Sequence, residues 1–191
     1  NLQPMTVIVG NNATGKSSLA QAFFENGFKV FDADKTYNHL LSSDTMMREE
    51  ILFIFGTLDR KLLLNNVLAN TELLTKLNSI THKYVITQMH KFLKENMNNN
   101  IVLDVPIPVR KGFLDLTDIK IVTCTNQDNQ INRLKNRYGV NEAQAKKRIE
   151  MQMKMIDYIN IGDIILNTDN TDNEDLIKFV KIFKNTYMKG N

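Results

Sequence analysis

A stretch near the start of the chain has the residue types and spacing of a phosphate-binding loop. It reads Gly10-Asn11-Asn12-Ala13-Thr14-Gly15-Lys16-Ser17-Ser18 and fits the pattern G-x-x-x-x-G-K-[ST]. In such a loop, backbone N–H groups and the N-terminus of the following helix surround a phosphate. We expect Lys16 to reach the β- and γ-phosphates of a nucleoside triphosphate and the Ser17 hydroxyl to bind Mg²⁺. The stretch therefore predicts nucleotide binding and leaves the acceptor of any phosphate open.

The elements around this loop support the interpretation. Residues 5–9 are largely apolar and predict a buried strand, and residues 17–25 predict the helix that follows. The motif is specific only between a strand and a helix, because a Gly-containing turn elsewhere matches it by chance. An ordinary turn of that kind is the alternative.

Three carboxylates follow predicted strands. Asp32 and Asp34 come after the second predicted strand, residues 28–31, at the sheet edge where α/β proteins bind ligands. Asp34 has two interpretations, a general base for a hydroxyl acceptor or the N-cap of the next helix. Asp104 lies within the third predicted strand, residues 101–105. It either helps to order Mg²⁺, as a Walker-B aspartate does, or only binds nearby backbone.

A long helical block separates the second and third predicted strands. Residues 35–97 contain no strand pattern, and a plain crossover needs only about a dozen residues. The excess predicts an inserted region that binds the acceptor, with extra helical packing as the alternative. His82 lies in this block, where a lone histidine is more often packed or at the surface than catalytic. The predicted helices cover residues 43–55, residues from a cap at Asp59 to about 68, residues 71–77 and residues 80–97.

Arginines recur on two predicted helices in the second half of the chain. Residues 126–138 predict a helix that ends at Gly139, and Arg133 and Arg137 share one of its faces. Arg148 lies on the next helix, which we expect Asn141 to cap. Guanidinium groups on two short helices suit a lid that closes over phosphates. A solvated basic face is the alternative.

The order of elements predicts the fold class. Further strands are predicted at residues 120–125 and 163–166, and a capping box at residues 171–174 begins the last helix. Alternating strands and helices predict an α/β fold, a parallel sheet of about five strands with helices on both faces. We expect one P-loop domain over residues 1–191, within which residues 35–97 form the helical insertion.

Composition narrows the possible partners. The formal net charge of +3 is too small to argue for nucleic-acid binding. The single cysteine excludes an intrachain disulfide and indicates a reducing compartment. No apolar run is long enough to span a membrane and no secretory signal opens the sequence, so we expect a cytoplasmic protein.

Several segments, in their order and spacing, resemble the dephospho-CoA kinase family over nearly the whole chain. They are the P-loop, Phe31-Asp32-Ala33-Asp34, Gly56-Thr57-Leu58-Asp59-Arg60-Lys61-Leu62, Leu77-Asn78-Ser79-Ile80-Thr81-His82, Leu103-Asp104-Val105-Pro106, Gln130-Ile131-Asn132-Arg133-Leu134-Lys135-Asn136-Arg137, Arg148-Ile149-Glu150-Met151-Gln152 and Asp163-Ile164-Ile165-Leu166-Asn167. The resemblance implies a nucleotide core, an acceptor-binding helical region and a lid at about residues 133–157. It also implies transfer of the ATP γ-phosphate to the ribose 3′-hydroxyl of dephospho-CoA with Mg²⁺, by a monomer or weak homo-oligomer.

The resemblance assigns roles to single residues. Asp34 matches the proposed base of the family, and Arg137 and Arg148 match lid arginines. Asn167 lies where the family contacts adenine, and His82 matches a histidine of the acceptor region.

The chain also departs from the family pattern. Asn11 and Ala13 replace two glycines of the family P-loop, and Ser18 replaces a threonine. Arg110 stands where the family usually has a glutamate, and Lys83 where it usually has a proline. These departures bear on acceptor detail and efficiency more than on the class of reaction.

Two other functions are compatible with a P-loop. A nucleoside, nucleotide or shikimate-type kinase would share the core and the lid. A nucleotide-dependent regulatory binding protein would need no acceptor region. The absence of an Asn-Lys-x-Asp guanine motif and the long helical insertion disfavour this second alternative.

Overall fold

The structure is a computed structural model that describes residues 2–105 and 113–190. Arg110, the predicted charge reversal, lies outside the described residues. The chain divides into two compact units, one of Asn1–Phe31 with Glu95–Asn191 and one of Asp32–Lys94. We call the first the sheet unit and the second the helical unit.

A five-stranded sheet forms the centre of the sheet unit. Its strands are β1 (Thr6–Gly10), β2 (Lys29–Asp32), β3 (Ile101–Asp104), β4 (Ile119–Cys124) and β5 (Ile164–Asn167). Their spatial order is β2-β3-β1-β4-β5, and β1 pairs in parallel with β3 and β4, as β4 does with β5. The predicted parallel α/β sheet of about five strands is confirmed.

Burial explains why β1 lies in the middle of the sheet. Every residue of β1 and β3 is buried, whereas β5 alternates between half-buried and exposed positions. Apolar runs without alternation are typical of strands covered on both faces, and alternation is typical of an edge. The carboxyl end of β1 is therefore held in the centre of the sheet, where the predicted phosphate loop begins.

The α-helices described in the sheet unit are α1 (Lys16–Glu25), α6 (Gln127–Tyr138), α7 (Glu142–Glu150), α8 (Met155–Ile161) and α9 (Asn173–Tyr187). Phe23 of α1 packs edge-on against Phe28 at 4.8 Å and against Phe183 of α9 at 5.5 Å between ring centroids. These rings are almost fully buried and fix α1 on the sheet. The N-terminus of α1 is thereby set at the end of β1.

Side-chain caps set the ends of the other helices of the sheet unit. The predicted cap at Asn141 is confirmed, Asn126 caps α6, and Gly139 ends α6 with a left-handed φ of 63°. The capping box of α9 is formed by Asp172 and Asp175, so the prediction at residues 171–174 was wrong by one residue. Helix α8 had no sequence prediction.

The helical unit contains α2 (Ala33–Ser43), α3 (Thr45–Phe55), α4 (Arg60–Ala69) and most of α5 (Thr71–Glu95). The Asp59 carboxylate accepts a hydrogen bond from Leu62 N at 3.0 Å, which confirms the predicted cap of α4. Asp44 separates α2 from α3, so the prediction of one helix over residues 43–55 began too early. The predicted break near residue 78 is absent, because α5 is one helix of 25 residues.

Within the described ranges, none of the helices combines the length and the apolar character that crossing a membrane requires.

Candidate active site

The phosphate loop joins β1 to α1 and is held in a strained, closely packed turn. Gly15 adopts a left-handed φ of 89°, and a Cβ atom there would lie 3.0 Å from the Thr168 side chain. Both the backbone angle and the close approach require glycine. Ala13 also has a positive φ, of 56°, which costs a residue with a Cβ atom about 1–2 kcal/mol. Ala13 thus keeps a left-handed backbone conformation, which glycine adopts more easily, despite its methyl group.

Two buried threonines outside the loop, Thr123 and Thr168, stabilise this turn through hydrogen bonds to Thr14. The Thr14 hydroxyl donates to Asn11 O at 2.8 Å and shares a hydrogen bond with the Thr123 hydroxyl of β4 at 2.7 Å. Thr168, directly after β5, donates from its hydroxyl to Thr14 O at 2.7 Å. The sequence interpretation did not assign Thr123 or Thr168 to the site, and a hydroxyl at a strand end carries no local signal for this contact.

The P-loop lysine and the predicted Walker-B aspartate lie together. Lys16 Nζ forms an ion pair with the Asp104 carboxylate, and their side chains are 17% and 5% exposed. Ser17 follows Lys16 on the first turn of α1. At this sheet edge one ammonium and one carboxylate therefore meet beside the phosphate loop. A triphosphate would compete with Asp104 for the lysine.

The predicted lid arginines lie close to one tyrosine. The guanidinium carbon of Arg148 on α7 is 4.5 Å from the centre of the Tyr138 ring, and that of Arg137 on α6 is 6.0 Å from it. Distances in this range allow cation–π attraction. The structure brings both arginines to the turn between α6 and α7, so they share one local environment.

Arg133 differs from its helical neighbour Arg137. Its guanidinium donates to Ala13 O at 3.0 Å and to Thr168 O at 2.8 Å. These hydrogen bonds tie α6 to the phosphate loop and to the end of β5. The two arginines that the sequence placed on one face thus have separate partners.

Asn167, the predicted adenine contact, is exposed at the end of β5. Its side-chain oxygen accepts from Asp169 N at 2.8 Å. The Asp169 carboxylate in turn accepts from the Thr125 hydroxyl at 2.7 Å and from Asn126 N at 2.9 Å. The Thr125 hydroxyl and then the Asn126 N–H lower the pKa of Asp169, because they stabilise its charged form. The loops after β4 and β5 are joined in this way.

Asp34 lies in the helical unit, on the first turn of α2. It is not the N-cap, because the Asp32 carboxylate accepts from Lys35 N at 2.9 Å and caps the helix. The capping interpretation of Asp34 is wrong, whereas Asp34 does follow the carboxyl end of β2, by two residues. The Asp34 side chain is exposed and is left available for another role.

Two residues that the sequence interpretation did not assign lie near Asp34 within the helical unit. Burial raises the pKa of Tyr37, the charge of Arg60 lowers it, and the charge of Asp34 raises it. The Tyr37 phenol therefore feels the charges of both the Asp34 carboxylate and the Arg60 guanidinium. His82, on α5, is half-buried, and burial lowers its pKa.

Lys83, which replaces a family proline, has a structural partner. Its Nζ lies 2.7 Å from Glu50 Oε1, and the Tyr84 hydroxyl donates to the same oxygen at 2.8 Å. The Lys83 and Glu50 side chains are 56% and 37% exposed, so the ion pair contributes little to stability. Its effect is to join α5 to α3 inside the helical unit.

Known families and proteins are similar to this chain over most of its length. A family model described as dephospho-CoA kinase matches residues 5–174. A dephospho-CoA kinase of Fusobacterium nucleatum is 34% identical over 188 residues, which cover 94% of this chain and 96% of that protein.

Solved structures give the same fold. A dephospho-CoA kinase from Campylobacter jejuni has a TM-score of 0.66 at 21% identity and covers 96% of both chains. A shikimate kinase from Bacteroides thetaiotaomicron has a TM-score of 0.61 at 13% identity, covering 96% of this chain and 97% of that one. At these identities the likeness establishes the fold and does not separate the acceptors.

Proposed function

The chain belongs to the dephospho-CoA kinase family, and we propose on that premise how it transfers the γ-phosphate of ATP to the ribose 3′-hydroxyl of dephospho-CoA. It is an ATP-dependent kinase that phosphorylates dephospho-CoA in coenzyme A biosynthesis. The observation that best supports a transfer site is the attachment of the arginine-bearing helices to the phosphate loop. Arg133 of α6 and the loop are linked at Ala13 O, which keeps lid and loop in one unit.

Each group has a place in the transfer. The ribose oxygen forms a bond to the γ-phosphorus while the bond from that phosphorus to the β–γ bridging oxygen breaks, and ADP leaves. Asp34 accepts the proton of the ribose hydroxyl. Lys16, Arg137 and Arg148 neutralise the charge that develops on the phosphoryl oxygens. Asn167 contacts the adenine, and His82 belongs to the acceptor region.

The residues present fit Mg²⁺. Ser17 and Asp104 offer one hydroxyl and one carboxylate oxygen, and the described residues contain no group of three or more His, Cys, Asp or Glu. Mg²⁺ at phosphate sites is held by one or two protein oxygens together with phosphates and water. We propose that Ser17 and Asp104 would hold the ion, which would supply positive charge against the phosphate oxygens.

The two units take different tasks in this proposal. Residues 35–97 bind dephospho-CoA, and residues 133–157 form the lid. We further propose that the chain acts in the cytoplasm as a monomer or weak homo-oligomer without nucleic acid. The one free cysteine, Cys124, is buried and is consistent with a reducing compartment.

ADP release with Mg-ATP and a panel of acceptors tests the acceptor. We expect dephospho-CoA to stimulate ADP release and to yield coenzyme A, with phosphate on the 3′ position by NMR. Stimulation by a nucleoside or by shikimate alone would favour the second kinase class. Slow turnover that no acceptor changes would favour a regulatory nucleotide-binding protein.

The lid arginines give a second test. Lysine retains the charge and loses the planar fork that binds two phosphate oxygens. We expect Arg137→Lys and Arg148→Lys each to lower kcat by about 10–10²-fold, the loss of one charge-assisted hydrogen bond. Steady-state kinetics of both variants provides the measurement, with the reverse exchange Lys178→Arg on the exposed face of α9 as a control. If both lid variants match the parent, the region is only a solvated basic face.

A further inference from the structure

Two asparagines of the phosphate loop donate hydrogen bonds to main-chain carbonyls of the lid. Asn12 Nδ2 donates to the main-chain carbonyl of Arg148 at 2.9 Å. Asn11 Nδ2 donates to Ile149 O at 3.3 Å and to Met153 O at 2.9 Å. The acceptors lie at the end of α7 and just before α8. The loop side chains thus bind the carbonyls where one lid helix ends.

The asparagines are themselves fixed. Asn11 is 3% exposed, and its side-chain oxygen accepts from Asn12 N at 2.6 Å. From the other lid helix, Gln130 Nε2 donates to Asn12 O at 2.8 Å. The segment that carries the asparagines is therefore bonded to α6 and α7 together. A buried amide with donor and acceptor both used is rigidly oriented.

The main chain of Arg148 is held by Asn12, and its guanidinium rests against Tyr138. Among the described residues, no hydrogen bond or ion pair holds this guanidinium. For Arg148 to act on a bound phosphate, its main chain must keep a constant position relative to the loop. The amide of Asn12 fixes the carbonyl of that same residue.

We propose that Asn11 and Asn12 are positioning residues that set the main chain of Arg148 against the phosphate loop. This inference rests on the proposed function, in which Arg148 contacts the transferring phosphate. Asn11 replaces a glycine that the family P-loop usually has, so its contacts with Ile149 O and Met153 O are a property of this chain. In this arrangement, a phosphate bound in the loop is approached by an arginine whose main chain is hydrogen-bonded to the same loop.

The test is a double-mutant cycle between Asn12→Ala and Arg148→Ala. A small misplacement of a catalytic group costs up to about 10²-fold in rate, so we expect Asn12→Ala to lower kcat by about 10-fold or more. The KM for ATP should change little, because the loop backbone still binds the phosphates. In the Arg148→Ala background the same change should cost less than about 2-fold, since coupled residues are not additive.

A matched control separates positioning from general stability. Asn26 Nδ2 donates to Ala22 O at 2.8 Å and to Ile177 O at 3.3 Å, so it also joins two elements but lies between α1 and α9. We expect Asn26→Ala to leave kcat close to the parent value, and Asn11→Gly to lower it as Asn12→Ala does. Equal fold losses of Asn12→Ala in both Arg148 backgrounds would overturn the proposal.

Tryptic cleavage gives a measurement that needs no turnover. Lys146 and Lys147 lie exposed on α7, and a released lid should be cut after them several times faster. We expect faster cleavage for Asn12→Ala and parent-like cleavage for Asn26→Ala, with ATP absent. Unchanged cleavage of Asn12→Ala would overturn the attachment. If the parent protein does not turn over dephospho-CoA, the proposed function is wrong. The cleavage rates would then still show whether Asn12 attaches the lid to the loop.

Discussion

Lys16→Ala is expected to lower kcat with dephospho-CoA by at least about 10²–10³-fold, the cost of one donor aimed at developing charge. In ATP-bound protein the Lys16 ammonium would leave Asp104 and follow the γ-phosphate into the transition state. Alanine keeps the α1 helix, because its helix propensity is the highest of all residues. The measurement is steady-state kinetics at saturating ATP.

The ion pair with Asp104 requires a control for folding. Lys16→Ala removes a partner of a carboxylate that is almost fully buried, so some loss of thermal stability is expected as well. Lys29→Ala removes an exposed lysine at the start of β2 and should retain full turnover. Circular dichroism and a melting curve show whether the Lys16 variant is folded. Near-normal turnover of folded Lys16→Ala would contradict the P-loop assignment.

Asp34→Asn is expected to lower turnover with dephospho-CoA by about 10²–10⁴-fold, the usual contribution of a general base. Asparagine keeps the size of the side chain but cannot take the proton of the ribose hydroxyl. The N-cap of α2 is Asp32, so the substitution does not remove the cap. ATP affinity and the melting temperature should stay close to those of the parent, and both are measured on the same variant.

Asp32→Asn is the matched control for this experiment. Asparagine caps a helix about as well as aspartate, so Asp32→Asn should fold and turn over like the parent. Retained turnover in Asp34→Asn excludes it as the base. Loss in Asp32→Asn alone would move that role to the capping residue, where β2 ends.

The sequence predicted local features well because their causes are local. The P-loop turn, the cap at Asp59 and the end of α6 at Gly139 each depend on a few consecutive residues. The apolar run of β1 likewise predicted a buried strand. In contrast, Asp32 and Asp34 both satisfy the capping preference, and the geometry at the strand end decided between them.

Contacts across the chain were not predictable in this way. Thr168 meets the phosphate loop from a position 154 residues away from Thr14, and Asn12 binds Arg148 O across 136 residues. A single hydroxyl or amide has no periodicity that would reveal such a partner. Residues this far apart in the sequence come into contact only because the strand order places their segments side by side.

The sequence by itself determined the α/β class, the phosphate loop and the family, because strand and helix patterns and the order of motifs are written in neighbouring residues. The tertiary structure alone decided that Lys16 meets Asp104 and that Arg133 braces the loop while Arg148 lies on Tyr138. The physical reason is that hydrogen bonds and ion pairs act over a few ångströms. Which side chains come within that range depends on how parallel strands bring distant segments to one sheet edge.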